Sequence, residues 1–184
     1  AVNEYVVFFD NPKIRDRTVS ETSLLNARNF ASYMLPFGVF SLKNQFQLPD
    51  ILAKNHIDVY HSTNYMIPVL AFPRNRRGNT KCVTTIHDVI PLIFPNHAPQ
   101  SKKAKLFPIY KFLMKEIGIR ANAIITDSRA SKSDVIKHLR IPEESQAKVT
   151  AIYCGVSPQF RPPPGGHRTD EPGDKTGKRK RTIL

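Results

Sequence analysis

His87 and Asp88 stand side by side at the end of the apolar run 83–86, "VTTI", with Pro91 three residues beyond the aspartate. An imidazole delivered to a strand end can donate to a ligand hydroxyl, and a neighbouring carboxylate can accept from hydroxyls or cap the following turn. The plainer alternative for His87 is a strand-end histidine bonded to a loop carbonyl. Two further stretches place chemistry-bearing residues at apolar run ends. His61 closes "IDVYH" and is followed by Ser62, Thr63, Asn64 and Tyr65, a polar loop from which His61, Asn64 and Tyr65 are candidates for ligand contact. Asp127, Ser128 and Arg129 close "ANAIIT"; Ser131 is placed to cap a helix, and Ser128, Arg129 and Lys132 are candidate contacts for an anion near its free backbone donors. Gly155 ends the last apolar run and suits a tight exit or a close approach by ligand. His56, His61, His97, His138 and His167 form no ligand spacing with Cys82 or Cys154, so no metal is expected, and no other cofactor.

The elements that must position these residues follow from the apolar pattern. Residues 5–9 form a compact β-branched and aromatic run ending in Asp10, Asn11 and Pro12, which predicts a strand and a turn. Residues 20–40 carry no clear period and read as loop or short helix. A short helix over 47–54, strands over 57–61 and 81–86, and a long helix over 100–120 come next. The long helix rests on Ala104, Leu106, Phe107, Tyr110, Leu113, Met114 and Ile117 recurring three or four apart. A strand at 121–128, a helix at 131–139 and a strand at 147–155 complete the order. This alternation predicts an α/β fold: a Rossmann-like parallel sheet flanked by helices, with ligands at the carboxyl ends of the strands.

With 184 residues, 40% of them hydrophobic, the chain can fill one core and is short for two. The 28 basic residues exceed the 15 acidic ones by 13, a field that favours an anionic partner. The two cysteines lack the density of an oxidised framework and suit a cytosolic compartment. No apolar window is long enough for a membrane span, and no basic region precedes the first apolar run as in a signal peptide. After Phe160 the composition turns to "RPPPGGHRTDEPGDKTGKRKR", a basic linker or tail over 161–181. Residues 182–184, "TIL", look like the start of a strand belonging to another domain.

The stretches "DVYHSTNYMIP", "VTTIHDVIPLIFP", "ANAIITDSRASKSDVIKHLRIP" and "KVTAIYCGVSPQF" resemble, in order and spacing, the amino-terminal half of the retaining GT-B glycosyltransferases of family 4. The resemblance implies that residues 1–160 are the acceptor-side domain, one half of a GT-B two-domain fold, starting at what looks like the second strand and lacking the first strand and glycine-rich loop. It implies transfer of a hexose-type sugar from a nucleotide-sugar donor to a glycan or lipid-linked acceptor, as in polysaccharide biosynthesis. A carboxyl-terminal donor-binding domain would be needed, without which the chain should be inactive. By the same resemblance His87 contacts the donor sugar; physically, an imidazole there could donate to a hydroxyl or support charge in an oxocarbenium-like transition state, with Asp88 as the second catalytic candidate and Gly155 as a candidate for close approach to the donor. A front-face mechanism, assisted by the departing phosphate, would dispense with a second carboxylate.

The lysines between 102 and 115, with Arg74, Arg76 and Arg77, could form a positive surface for an anionic bilayer at the inner face of the membrane; the simpler account is a solvated helix face. The charge and "KRKR" at 178–181 also raise a nucleic-acid-binding module, but no zinc pattern, aromatic platform or helix-turn-helix accompanies them, and no nucleic-acid partner is expected. A non-catalytic subunit completing a separate catalytic chain is the third class.

Overall fold

The computed structural model describes residues 3–95 and 106–155. The fold lies within one compact unit, Ala1–Tyr153; of the second, Cys154–Leu184, only Cys154 and Gly155 are described, both exposed. The linker and the final "TIL" lie outside the described residues, as do residues 96–105 ahead of the long helix.

Strand β1 (Tyr5–Phe9) pairs in parallel with β2 (Phe30–Met34), Tyr5 opposite Phe30 and Phe9 opposite Met34. Between them runs α1 (Pro12–Glu21), where a turn alone had been expected. Asn11 caps it, its Oδ1 accepting from Lys13 N at 2.9 Å and Ile14 N at 3.4 Å, and Pro12 occupies the first helical position, where its missing N–H costs nothing. No side chain of α1 is buried, so no apolar stripe marks it in the sequence. Strand β2 was also hidden, because its middle three residues are exposed and the alternation of a half-buried strand is missing.

Helix α2 (Leu42–Lys54) starts earlier than the apolar pattern suggested, since Ser41 supplies the cap by accepting from Asn44 N at 3.3 Å. It buries Leu48 and Leu52. Four strands then form a second parallel sheet in sequence order: β3 (Val59–Ser62), β4 (Lys81–Thr85), β5 (Ala123–Thr126) and β6 (Val149–Ala151). The expected parallel sheet is therefore present as two hydrogen-bonded groups of strands among the described residues. The crossovers carry α3 (Ile90–Ile93), α4 (Phe107–Arg120) and α5 (Arg129–His138).

The core joins Leu48 and Leu52 of α2, Cys82 and Ile86 of the β4 region, Met114 and Ile117 of α4, Ile124 of β5 and Val149 of β6. Burial pushes the Cys82 thiol up to about 12, as expected for a sulfur enclosed in apolar surroundings. Both cysteines are free.

Helices α2 and α5 end in the same way. Ile57 N donates to Leu52 O and His56 N to Ala53 O; Ile141 N donates to Ile136 O and Arg140 N to Lys137 O. These paired bonds are Schellman motifs, which require a left-handed residue just past the helix, and His56 (φ 50°) and Arg140 (φ 53°) provide it. His56 thus has a backbone role, at the turn that feeds β3.

Candidate functional site

In a parallel sheet the carboxyl ends of adjacent strands lie at one edge, and residues at equal register stand abreast. Val83, Thr84 and Thr85 of β4 face Ala123, Ile124 and Ile125 of β5, and Ile86 N extends the ladder to Ile125 O at 2.8 Å. Carrying that register two residues further sets His87 opposite Asp127. The side chains meet: His87 Nδ1 lies 2.7 Å from Asp127 Oδ2. The other ring nitrogen, Nε2, lies 3.2 Å from the Thr63 carbonyl in the loop after β3. One imidazole therefore links the exits of three strands.

Both neighbours of the ring are acceptors, since a carbonyl and an ionised carboxylate have no proton to give. A protonated ring, with a hydrogen on each nitrogen, donates to both. The hydrogen bond to Asp127 is the main cause that holds the His87 pKa above its usual 6.5; desolvation opposes it, while the Asp127 charge, the Thr63 carbonyl and Asp88 add to the rise. A cation at this place can hold a negative or oxygen-rich group and cannot act as a general base until it loses a proton.

Asp88 is exposed, and its Oδ1 accepts from Ile90 N at 3.0 Å, which starts the turn into α3 with Pro91 at its second position. His61 is bonded laterally, Nε2 lying 2.9 Å from Thr85 Oγ1, and burial pushes its pKa down. Asn64 shapes the loop: its Oδ1 takes Met66 N at 2.7 Å and its carbonyl takes the Thr84 hydroxyl at 2.7 Å. Tyr65 packs edge-on against Phe40 and Tyr110, with ring centroids 6.1 and 5.4 Å away, and burial raises its phenol.

Ser128, not Ser131, is the cap of α5. Its Oγ accepts from Ser131 N at 3.0 Å. Arg129 is exposed and Lys132 half-buried in the first turn, beside backbone N–H groups that the helix itself leaves without carbonyls. Gly155 is exposed, with no atom of the described residues within 4 Å of where a Cβ would stand and no left-handed φ, so a tight exit does not explain this glycine.

Sequence reading singled out His87 and missed its partners. Asp127 was visible as a strand-end acid, but its pairing needs the forty-residue offset between β4 and β5, and the Thr63 carbonyl has no side-chain signature at all. Among the described residues, no three His, Cys, Asp or Glu side chains converge as a metal ion would require, and no helix is long and apolar enough to cross a membrane.

The model of the family described as Glycosyltransferase Family 4 matches residues 5–160. No curated protein and no solved structure matches the chain.

Proposed function

The chain belongs to Glycosyltransferase Family 4, and from that premise we propose that it forms the acceptor-side domain of a GT-B enzyme. In this reading the enzyme moves a hexose-type sugar from a nucleotide-sugar donor to a glycan or lipid-linked acceptor with retention. The observation that carries the reading is the convergence of Thr63, His87 and Asp127 at the carboxyl ends of β3, β4 and β5, the sheet edge where α/β folds take their ligands.

His87 offers its Nε2–H to a sugar or phosphate oxygen in place of the Thr63 carbonyl. Asp88 holds a turn amide and Asp127 holds the imidazole, so both carboxylates at this edge are already engaged. That arrangement argues against a double displacement through a carboxylate nucleophile. A front-face transfer fits instead: the bond from the anomeric carbon to the phosphate oxygen breaks, the bond to the acceptor oxygen forms, and the acceptor proton passes to the departing phosphate. His61, Asn64, Tyr65, Ser128, Arg129 and Lys132 border the same strand exits and are the candidate acceptor and anion contacts. Gly155 is the candidate for close approach by the donor.

The acceptor is met at an anionic membrane surface, on the cytoplasmic side where the free thiols stay reduced. Support comes from exposed apolar side chains on neighbouring elements: Leu42 and Phe46 of α2, Leu70 in the turn that packs against α2 and α4, and Ile109 and Phe112 of α4, interspersed with exposed Lys43, Lys111 and Lys115.

The test joins the chain to a carboxyl-terminal donor domain and assays transfer from a panel of nucleotide sugars. Activity that drops about 100-fold in His87→Ala with folding retained is the expected result, the scale for losing one donor to developing negative charge. No transfer from any nucleotide donor, together with sequence-specific nucleic-acid binding, would sink the proposal.

A further inference from the structure

His87 is 58% exposed, so nothing in the packing alone fixes its ring, and an exposed imidazole ordinarily samples several rotamers. Its orientation comes from hydrogen bonds. Asp127, at 35% exposure, is the firmer of the two partners: it follows β5 directly, its strand is paired on both sides, and Ser128 next to it starts α5. Thr63, by contrast, is an exposed loop residue offering a longer, single carbonyl contact. The ring is thus anchored on the Nδ1 side and loosely tied on the Nε2 side.

We infer that Asp127 is a positioning residue for the site: it accepts a hydrogen bond from Nδ1–H of His87, so that in the protonated ring Nε2–H is the bond presented to an oxygen ligand, with the Thr63 carbonyl as the acceptor that the ligand replaces. The inference rests on the proposed role of His87 in sugar transfer. It also goes further, because it assigns a function to an acid that contacts neither reacting atom. The ligand atom selected is an acceptor, a sugar hydroxyl oxygen or a phosphate oxygen. An amide or amine hydrogen would find no partner on Nε2–H.

Asp127 further determines which neutral form the ring adopts. Free histidine prefers its remaining proton on Nε2, but a carboxylate on Nδ1 retains the proton there. When His87 loses a proton as pH rises, Nε2 is therefore the nitrogen that gives it up. Among the described residues, the titratable groups facing the ring are Asp127 from the β5 exit and Asp88 from its own strand exit; the β3 loop contributes the uncharged Thr63 carbonyl.

Proton-nitrogen correlation spectra of the His87 ring in the chain labelled with nitrogen-15, recorded across a pH titration, test this directly. In the unsubstituted chain the neutral ring should keep its proton on Nδ1. In Asp127→Ala it should revert to the Nε2-protonated form, and in Asp127→Asn the titration midpoint should move down toward the usual value because the amide keeps an acceptor but no charge. Asp127→Glu should restore the midpoint at least in part. The same tautomer and midpoint in the Ala and Asn variants as in the parent would overturn the assignment, backbone spectra confirming that each is folded. Since these readouts need no turnover, a changed tautomer upholds the positioning role even if the transfer assay fails, and an unchanged one removes it whatever the enzyme transfers.

Discussion

Glu116 Oε2 lies 2.7 Å from Arg120 Nε, one turn further along α4, and the carboxylate is 1% exposed. Arg74 bonds its other oxygen from outside. Arg120 also donates through Nη1 to the carbonyls of Val69, at 3.0 Å, and Phe72. Two ends of one guanidinium therefore tie the long helix to the segment that leaves the β3 loop.

Arg120→Met should leave the buried carboxylate with the exposed Arg74 alone and strip two carbonyls of their donor. A loss of about 3 kcal/mol is expected, the scale for breaking a buried ion pair by removing one partner, read from urea unfolding; a loss below about 1 kcal/mol would contradict this account. The pH dependence has a definite sign. The Arg74 hydrogen bond, aided by Arg120 and opposed by desolvation, holds the Glu116 carboxyl below its usual 4.5. A depressed carboxyl contributes stability that is fully present above the usual value and is lost as pH falls through the folded one. The acid limb of the stability curve should accordingly flatten in Arg120→Met.

Arg140 stands at φ 53° at the left-handed position of the Schellman motif ending α5. A side chain there costs on the order of 1 kcal/mol that glycine avoids, while glycine adds freedom to the unfolded chain. Arg140→Gly should hold stability or raise it by a few tenths of a kcal/mol, whereas Arg140→Val, β-branched at positive φ, should lower it by about 1 kcal/mol or more. Equal melting temperatures for the two variants would remove the backbone explanation.

Phe112 is 56% exposed on α4, between Lys111 and Lys115. If exposed Phe112 and Phe46 meet a bilayer, as proposed, the chain should float with vesicles containing anionic phosphatidylglycerol and less so with neutral ones. Phe46→Ser with Phe112→Ser should weaken flotation at unchanged folding, since each aromatic lost removes apolar burial of about 2 kcal/mol. Flotation that survives both substitutions assigns these side chains to solvent, and equal flotation with neutral vesicles removes the preference for an anionic surface.

The β-branched runs of β4 and β5 and the Met114 and Ile117 positions of α4 are local patterns, and they were legible because burial imposes them on neighbouring residues; the cap of α5 was expected at Ser131 and is supplied by Ser128, and Leu106 of the expected stripe is exposed. The alternation of strands and helices fixed the parallel topology through the same patterns, and the four ordered motifs placed the chain in its family. Helix α1 and strand β2 were not legible, because neither buries a continuous face and periodicity has nothing to mark. His87 could be read from its place at a strand end; its partner could not. Asp127 lies forty residues away, and only the register of β4 against β5 sets the two side chains abreast and gives a strand-end histidine a carboxylate at Nδ1. Composition and spacing along the chain decide which groups reach the sheet edge, whereas hydrogen-bond partners across strands are decided by tertiary pairing, which no local sequence interval encodes.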